Sequence, residues 1–263
     1  MITVENLSKF YKVKPSHKKF FSGCENRVGV ENLTFHIEPG EIVGYIGLNG
    51  AGKSTTIKLL TGILQPTDGK VLVDGCVPHR ERNRLAAKIG VVFGQRNQLW
   101  WDLPLIRSFE LLQAIYKIPE EKFLSNLAYL KEQLDLEKFI NTPVRQLSLG
   151  QRMRGNLVAG LLHDPEILFL DEPTLGLDII ARHDFFQLMK DINRDHNVTI
   201  FLTTHNVRDI EELCSRIIVL DRGRKIFDGK ITGLKDYVDS NTTLFSDFGL
   251  EEFILALNQK KND

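Results

Sequence analysis

Short, unbroken apolar runs alternate along the chain with segments whose apolar residues recur every three or four positions. The runs are Glu41–Ile46 (EIVGYI), Ile89–Phe93 (IGVVF), Ile167–Leu170 (ILFL), Val198–Thr203 (VTIFLT) and Ile217–Leu220 (IIVL). A strand that is apolar at every position suits a parallel sheet covered on both faces. Helical periodicity fills the intervals, over Lys53–Thr61, Ser108–Tyr116, Glu120–Leu134, Gln151–Leu162, Arg182–Arg194 and Val207–Cys214. Strands alternating with helices predict an α/β fold with a mainly parallel sheet. From Asn97 to Leu162 the pattern is helical with no convincing strand, so this stretch reads as an inserted helical subdomain. The expected division is 1–96, 97–162 and 163–235, followed by a tail over 236–263 whose polar end, NQKKND, is expected to fray.

Composition narrows the possible classes. Of 263 residues, 42% are apolar and 26% charged, the profile of a folded globular chain rather than a disordered or fibrous one. Lysine plus arginine and aspartate plus glutamate both total 34, so the net charge is zero. That balance argues against a protein held on nucleic acid by bulk electrostatics. No apolar run approaches the ~18–20 residues that span a bilayer. The start, MITVENLSKFYK, is too polar for a signal peptide. The expectation is a chain that does not cross a membrane by itself. Cys24, Cys76 and Cys214 are widely spaced and odd in number, so they read as free thiols in a reducing cytoplasm.

Two local features stand apart from this background. Lys12–Arg27 (KVKPSHKKFFSGCENR) carries five basic residues and one acid, and its Pro, Ser and Gly suggest an exposed loop. It is either merely solvated or a contact for an anionic membrane face or acidic partner. The only tryptophans, Trp100 and Trp101, are adjacent. Either both indoles are buried between subdomains, or one is exposed and serves a protein interface.

Gly47-Leu48-Asn49-Gly50-Ala51-Gly52-Lys53-Ser54 fits G-x-x-x-x-G-K-[ST] between a predicted strand and a predicted helix. Glycines let the backbone bend until successive N–H groups face phosphate oxygens, and the helix aims its N-terminal dipole at the same anion. Lys53 can then reach the β- and γ-phosphates, and the Ser54 hydroxyl can ligate Mg²⁺. The run Ile167–Leu170 delivers Asp171-Glu172-Pro173 to the edge where open α/β sheets place ligands. Asp171 suits Mg²⁺, directly or through water, and Glu172 suits the orientation and deprotonation of an attacking water. Val198–Thr203 leads to Thr204-His205. Alone, His205 reads as a surface or core histidine; beside these motifs it reads as a γ-phosphate contact.

Leu147-Ser148-Leu149-Gly150-Gln151 opens another predicted helix. It is either an ordinary capped start or a second anion-binding helix terminus. With the order of the other motifs it resembles the LSGGQ signature of the ATP-binding cassette family, and the resemblance covers nearly the whole chain. Gly47–Ser54 then looks like Walker A, Gln95 like the Q-loop glutamine and Ile167–Glu172 like Walker B. Leu175–Asp178 looks like the D-loop, and His205 like the switch histidine. Tyr11 sits where the family places an aromatic on adenine, although a core-packed aromatic fits there as well. Leu149 stands in place of the signature's first glycine. Gly94 shifts the Q-loop against its strand, so that Gln95 rather than Gln98 is taken.

The resemblance implies a RecA-like P-loop NTPase core with an antiparallel N-terminal part. ATP would be held by Tyr11, Gly47, Leu48, Asn49, Gly50, Ala51, Gly52, Lys53, Ser54, Thr55 and Gln95, with Ser148, Gly150, Gln151 and Asp178 completing the site. Mg²⁺ would be held by Ser54, Gln95 and Asp171, with Glu172, His205 and Lys53 catalytic. It further implies a head-to-tail dimer of ATPase subunits, homodimeric or heterodimeric, and separate transmembrane permease subunits that hold this cytoplasmic chain on the inner face of the plasma membrane. The form EPTLGLD and the stretch NQLWWDLPLIRSFELL look most like ATPases of drug, antibiotic and polysaccharide exporters, with Leu99–Pro104 lining the permease groove. The alternative is a non-transport member acting in translation, repair or cluster assembly. The absence of sustained heptads between Lys53 and Asp171, the single cassette and the neutral charge weigh against it.

Overall fold

The computed structural model describes residues 1–13, 25–94, 97–204 and 206–233. Gln95, His205, the tail and most of the basic segment lie outside the described residues. In chain order the elements are β1 (Ile2–Val13), β2 (Glu25–Ile37), β3 (Ile42–Gly47), α1 (Lys53–Leu60), β4 (Asp68–Val73), α2 (Arg82–Ala86), β5 (Ile89–Phe93), α3 (Leu105–Tyr116) and α4 (Glu120–Gln133). A single 3₁₀ turn (Val144–Gln146) precedes α5 (Leu149–Leu161), β6 (Ile167–Asp171), α6 (Ile179–His196), β7 (Thr199–Thr203), α7 (Val207–Leu213), β8 (Arg216–Asp221) and β9 (Arg224–Lys230). They form two compact units, Met1–Glu38, Val43–Arg82 and the segment from Cys214 in one, Pro39–Ile42 and Asn83–Leu213 in the other.

The first unit holds the antiparallel sheet β2-β1-β4, in which Ile2 stands opposite both Ile37 and Val73. These strands alternate buried and exposed residues and so lacked the continuous apolar signal of the others. The same unit pairs β3 with β8 in parallel and β8 with β9 antiparallel. Phe35 and Tyr45 meet in its core with ring centroids 6.0 Å apart. The ends of the basic segment are strand rather than loop: Tyr11 pairs with Arg27 and Lys12 with Asn26.

The second unit holds the parallel strands β5, β6 and β7, whose apolar residues are buried almost throughout. Phe169 and Phe201 face one another across adjacent strands at 5.8 Å. The stretch from Asn97 to Leu162 carries α3, α4 and α5 and no named strand among the described residues. In α4, Phe123, Leu127 and Leu130 form the buried stripe at helical spacing. Three helices begin earlier than periodicity predicts: α3 at Leu105, directly after Pro104, and α5 at Leu149 and α6 at Ile179, where polar residues that cap a helix precede its first buried one.

Helix α5 lies so close to β5 that a Cβ on Gly90 would collide with the Gly160 carbonyl. Just beyond the helix, His163 stacks on Tyr116 with centroids 4.2 Å apart and planes 3° apart. Its Nε2–H donates to the Ile89 carbonyl at 3.0 Å, and its buried Nδ1 has no partner. Burial pushes the His163 pKa below its ordinary value, outweighing the upward pull of the Ile89 carbonyl and Asp164, while Lys122 adds to the depression.

The native chain therefore binds fewer protons at His163 than the unfolded chain does. The stabilisation is complete above pH ~6.5 and is lost as the pH falls from there through the native pKa. His163→Phe keeps the stacked ring and removes the titration. Urea unfolding at pH 7 and pH 5 should show a shallower loss of stability on acidification in the variant, by at most about 1.4 kcal/mol per pH unit. Equal slopes would show that His163 takes up its proton equally in the native and unfolded chains, so that burial does not lower its pKa.

Candidate nucleotide-binding and hydrolysis site

In the first unit, β3 ends at Gly47 and α1 begins at Lys53. The turn between them is closed by the Ala51 N–H on the Leu48 carbonyl at 3.0 Å. Gly50 and Gly52 sit at φ +84° and +112°, left-handed values that cost a side chain strain. Gly52 has a second reason to be glycine: a Cβ there would press on the Gly29 carbonyl and Val30. On the other side of the loop the Gly223 N–H donates to the Ala51 carbonyl at 2.9 Å. The loop is thus braced by β2 and by the β8–β9 turn.

Lys53 is buried, and its Nζ donates to the carbonyls of Gly47 at 2.6 Å and Leu48 at 3.3 Å. The loop's own carbonyls hold the ammonium where a desolvated cation needs acceptors. The Thr56 hydroxyl donates to the Gly52 carbonyl at 3.2 Å and lies 2.9 Å from the Tyr45 hydroxyl, whose pKa burial raises. Ser54 is exposed, and Tyr11 Oη lies 3.3 Å from Thr55 Oγ1. No side chain caps α1 at Gly52. First-turn N–H groups left without a side-chain cap, at the positive end of a helix, suit phosphate. The loop therefore fits a nucleotide on its own geometry.

In the second unit, the register sets Phe93 opposite Asp171, and Asp171 opposite Thr203. Thr203 Oγ1 donates to Asp171 Oδ1 at 2.6 Å, which fixes the carboxylate at the sheet edge. Glu172 leaves the strand at φ +56°, an unusual value for a residue with a long side chain. Its N–H donates to the Thr203 carbonyl at 2.9 Å, and the Gly94 N–H donates to the Asp171 carbonyl at 2.7 Å. Gly94 can be nothing larger, since a Cβ would collide with the Glu172 carbonyl. Gln98, the other Q-loop candidate, spends its side chain on the Val91 carbonyl at 2.7 Å.

Ser148 and Gln151 form a closed capping box on α5. Ser148 Oγ accepts from the Gln151 N–H at 3.2 Å, and Gln151 Oε1 accepts from the Ser148 N–H at 2.9 Å. In the single chain these two side chains therefore serve their own helix. Asp178 caps α6 likewise, accepting from the Ala181 N–H at 2.8 Å. Leu149, the departure from the signature, lies over Gly176, where a Cβ would strike its Cδ2. A leucine in the signature is thus matched by a glycine in the D-loop. Gly150 lies beside the same segment, its Cβ position 3.4 Å from the Gly176 carbonyl. Residues that sequence patterns did not mark also contribute here: Thr203, Thr174 and Asp209.

The sequence model of the ABC transporter family matches residues 30–175. A methionine import ATP-binding protein, MetN 2, of Bacillus cereus (strain ZK / E33L) is 31% identical over 247 residues, 92% of this chain and 70% of that protein. Nod factor export ATP-binding protein I of Cupriavidus metallidurans is 34% identical over 205 residues, 78% and 67% of the two chains. A solved dimeric ATP-binding cassette in a post-hydrolysis state with ADP and Pi superimposes with a TM-score of 0.77 at 28% identity, covering 88% of this chain and 98% of that one. The chain belongs to the ABC transporter family. It is an ATP-binding, Mg²⁺-dependent ATPase whose hydrolysis is coupled to transport.

Replacing Ser148 by Ala removes one half of the capping box. Urea unfolding should show a loss of about 1 kcal/mol. An unchanged midpoint would mean that water or Gln151 alone satisfies the first turn of α5.

Proposed function

We propose that this chain is the ATP-hydrolysing subunit of an exporter whose transmembrane permease is a separate polypeptide. The observation that carries the reading is the Gly47–Ser54 loop, with its buried lysine, opening a helix that no side chain caps. Backbone N–H groups of that loop, with Lys53, bind the phosphates of ATP, and Tyr11 beside Thr55 takes the adenine. Mg²⁺, when bound, is held by Ser54, Gln95 and Asp171 and neutralises phosphate charge. Glu172 orients and deprotonates water, His205 contacts the γ-phosphate, and the products are ADP and phosphate.

A second ATPase subunit meets this one head to tail, so that Ser148, Gly150, Gln151 and Asp178 complete the partner's nucleotide site. Support comes from the D-loop region, where Leu175, Ile179 and Ile180 are exposed, Ile179 by 89%. Large apolar side chains left in water in a folded chain favour a protein interface. The helical segment 97–162 joins ATP-binding parts 1–96 and 163–235 and meets the permease. Both indoles there are exposed, Trp100 by 37% and Trp101 by 49%, and the Arg152 guanidinium lies 5.3 Å from the Trp101 ring. No helix among the described residues is long and apolar enough to cross a membrane, so the permease is what places the chain on the inner face of the plasma membrane.

Export is favoured by the form EPTLGLD and by the Nod factor export relative. Import is the second reading, and the methionine import relative favours it. Cells lacking the chain should accumulate the cargo if it exports and fail to take it up if it imports.

Glu172→Gln should keep ATP binding while hydrolysis falls by on the order of 100-fold or more, with a closed dimer accumulating on ATP. Turnover at the wild-type rate would remove Glu172 from the mechanism. Trp101→Ala should weaken co-purification with its permease and leave ATP binding intact. Unchanged co-purification and unchanged ATPase rate would remove the indole from the interface.

A further inference from the structure

Asp209 is the only carboxylate that is fully buried among the described residues. It lies in α7, whose exposed side carries Glu211 and Glu212. A buried carboxylate is costly unless its oxygens are satisfied. Oδ2 of Asp209 accepts from Thr174 Oγ1 at 2.6 Å and from Thr204 Oγ1 at 3.1 Å, and Oδ1 forms an ion pair with the Arg182 guanidinium. None of these partners belongs to its own helix.

The identity of the three partners gives the cluster its meaning. Thr174 lies two residues after Glu172, in the turn closed by the Leu175 N–H on the Glu172 carbonyl at 3.3 Å. Arg182 lies in the first turn of α6, and its N–H donates to the carbonyl of the cap residue Asp178 at 2.9 Å. Thr204 directly precedes His205, and its hydroxyl also accepts from the N–H of Asn206, on the other side of His205, at 3.0 Å. The Asp209 N–H returns to the Asn206 carbonyl at 3.2 Å, which closes the ring. One carboxylate thus ties the turn that follows Glu172, the helix that follows the D-loop, and Thr204, while the Thr204 hydroxyl and the Asp209 backbone hold Asn206. A carboxylate serving only the stability of α7 would cap that helix rather than reach three separate segments.

We propose that Asp209 is a positioning residue for hydrolysis, locking the Thr174 turn that follows Glu172 to Thr204 and Asn206, the residues on either side of His205, so that these two parts of the chain move as one unit. The proposal rests on the reading of Glu172 as base and His205 as phosphate contact. Loss of either hydroxyl releases the two segments from each other, so the two losses are not independent. Geometry is what suffers, not nucleotide affinity, because none of the three partners belongs to the Gly47–Ser54 loop.

The test uses the purified full chain with Thr174→Val, Thr204→Val, the double variant, the two Thr→Ser variants and His205→Ala. Each is assayed for kcat, KM for ATP and melting temperature. Each valine variant should lower kcat by roughly 10- to 100-fold with KM changed less than about 2-fold, as misplacement of catalytic groups does. The double variant should be no slower than the slower single one, and serine should restore the rate in each case. These comparisons are made at a temperature where every variant is folded, so a lowered melting temperature does not mimic the result. Wild-type kcat in both valine variants, or a double variant whose loss is the product of the single losses, would overturn the proposal. If His205→Ala abolishes hydrolysis while the valine variants are normal, only the positioning role falls. If His205→Ala hydrolyses ATP normally, the reading beneath it falls too.

Discussion

The parallel register of β5, β6 and β7 is the constraint on which the placement of Asp171 and Glu172 depends. Phe93, Asp171 and Thr203 stand in one row, and the chain leaves the sheet from all three strands at the same level. The ladder continues one step beyond the strands, through the Gly94 N–H on Asp171 and the Glu172 N–H on Thr203. A slip of one residue in β6 would turn Asp171 to the opposite face and replace it with an apolar neighbour. Burial of the strands along their length makes such a slip costly, so the apolar runs themselves hold the carboxylates in place. The left-handed Glu172 is the cost of turning immediately at the edge, and the two backbone hydrogen bonds on either side of it offset that strain.

The starts of α1, α5 and α6 differ in whether a side chain accepts from the first turn. At Ser148 and Asp178 a side chain accepts from the first turn, so those ends are complete in the single chain. At Gly52 none does, and the residue is left-handed. The starts of α3 and α4, at Pro104 and Pro119, also lack a side-chain cap, and what sets α1 apart is the glycine-rich turn before it, which suits an anion. Carbonyls at the start of the loop hold the Lys53 ammonium within the same turn.

Much of this was legible in the sequence for an identifiable reason. The strands of the parallel sets carry unbroken apolar runs, and the chemistry follows them directly, so Asp171, Glu172 and the Gly47–Ser54 loop could be placed from the sequence. The strands β1, β2, β4 and β9 mix polar and apolar residues with bulges, and no periodicity marked them. Resemblance alone supplied the antiparallel part. Asp209 was invisible as chemistry because it sits among Arg208, Glu211 and Glu212 and looks like one more surface charge. Its spacing was the available signal: Asp209 and Leu213 are four residues apart, on the face of α7 that is buried. The pairing of Leu149 with Gly176 was likewise beyond a linear reading, since each residue is unremarked until the other is known to touch it.

That pairing and the Asp209 cluster bear on the same few residues. Thr174 is held by the buried carboxylate from α7, Gly176 is covered by Leu149 of α5, and Asp178 caps α6. Every second residue of the segment after Glu172 is therefore fixed by a different helix. A loop held this way has no hinge of its own, and it shifts only if one of the three helices shifts with it. The exposed apolar residues Leu175, Ile179 and Ile180 lie between and just after those anchors. Pressure on them from a partner would thus be delivered to α5, α6 and α7 together, and through Asp209 to the residues flanking His205. The segment works as a rigid link, because packing and one buried charge have removed its freedom to do anything else.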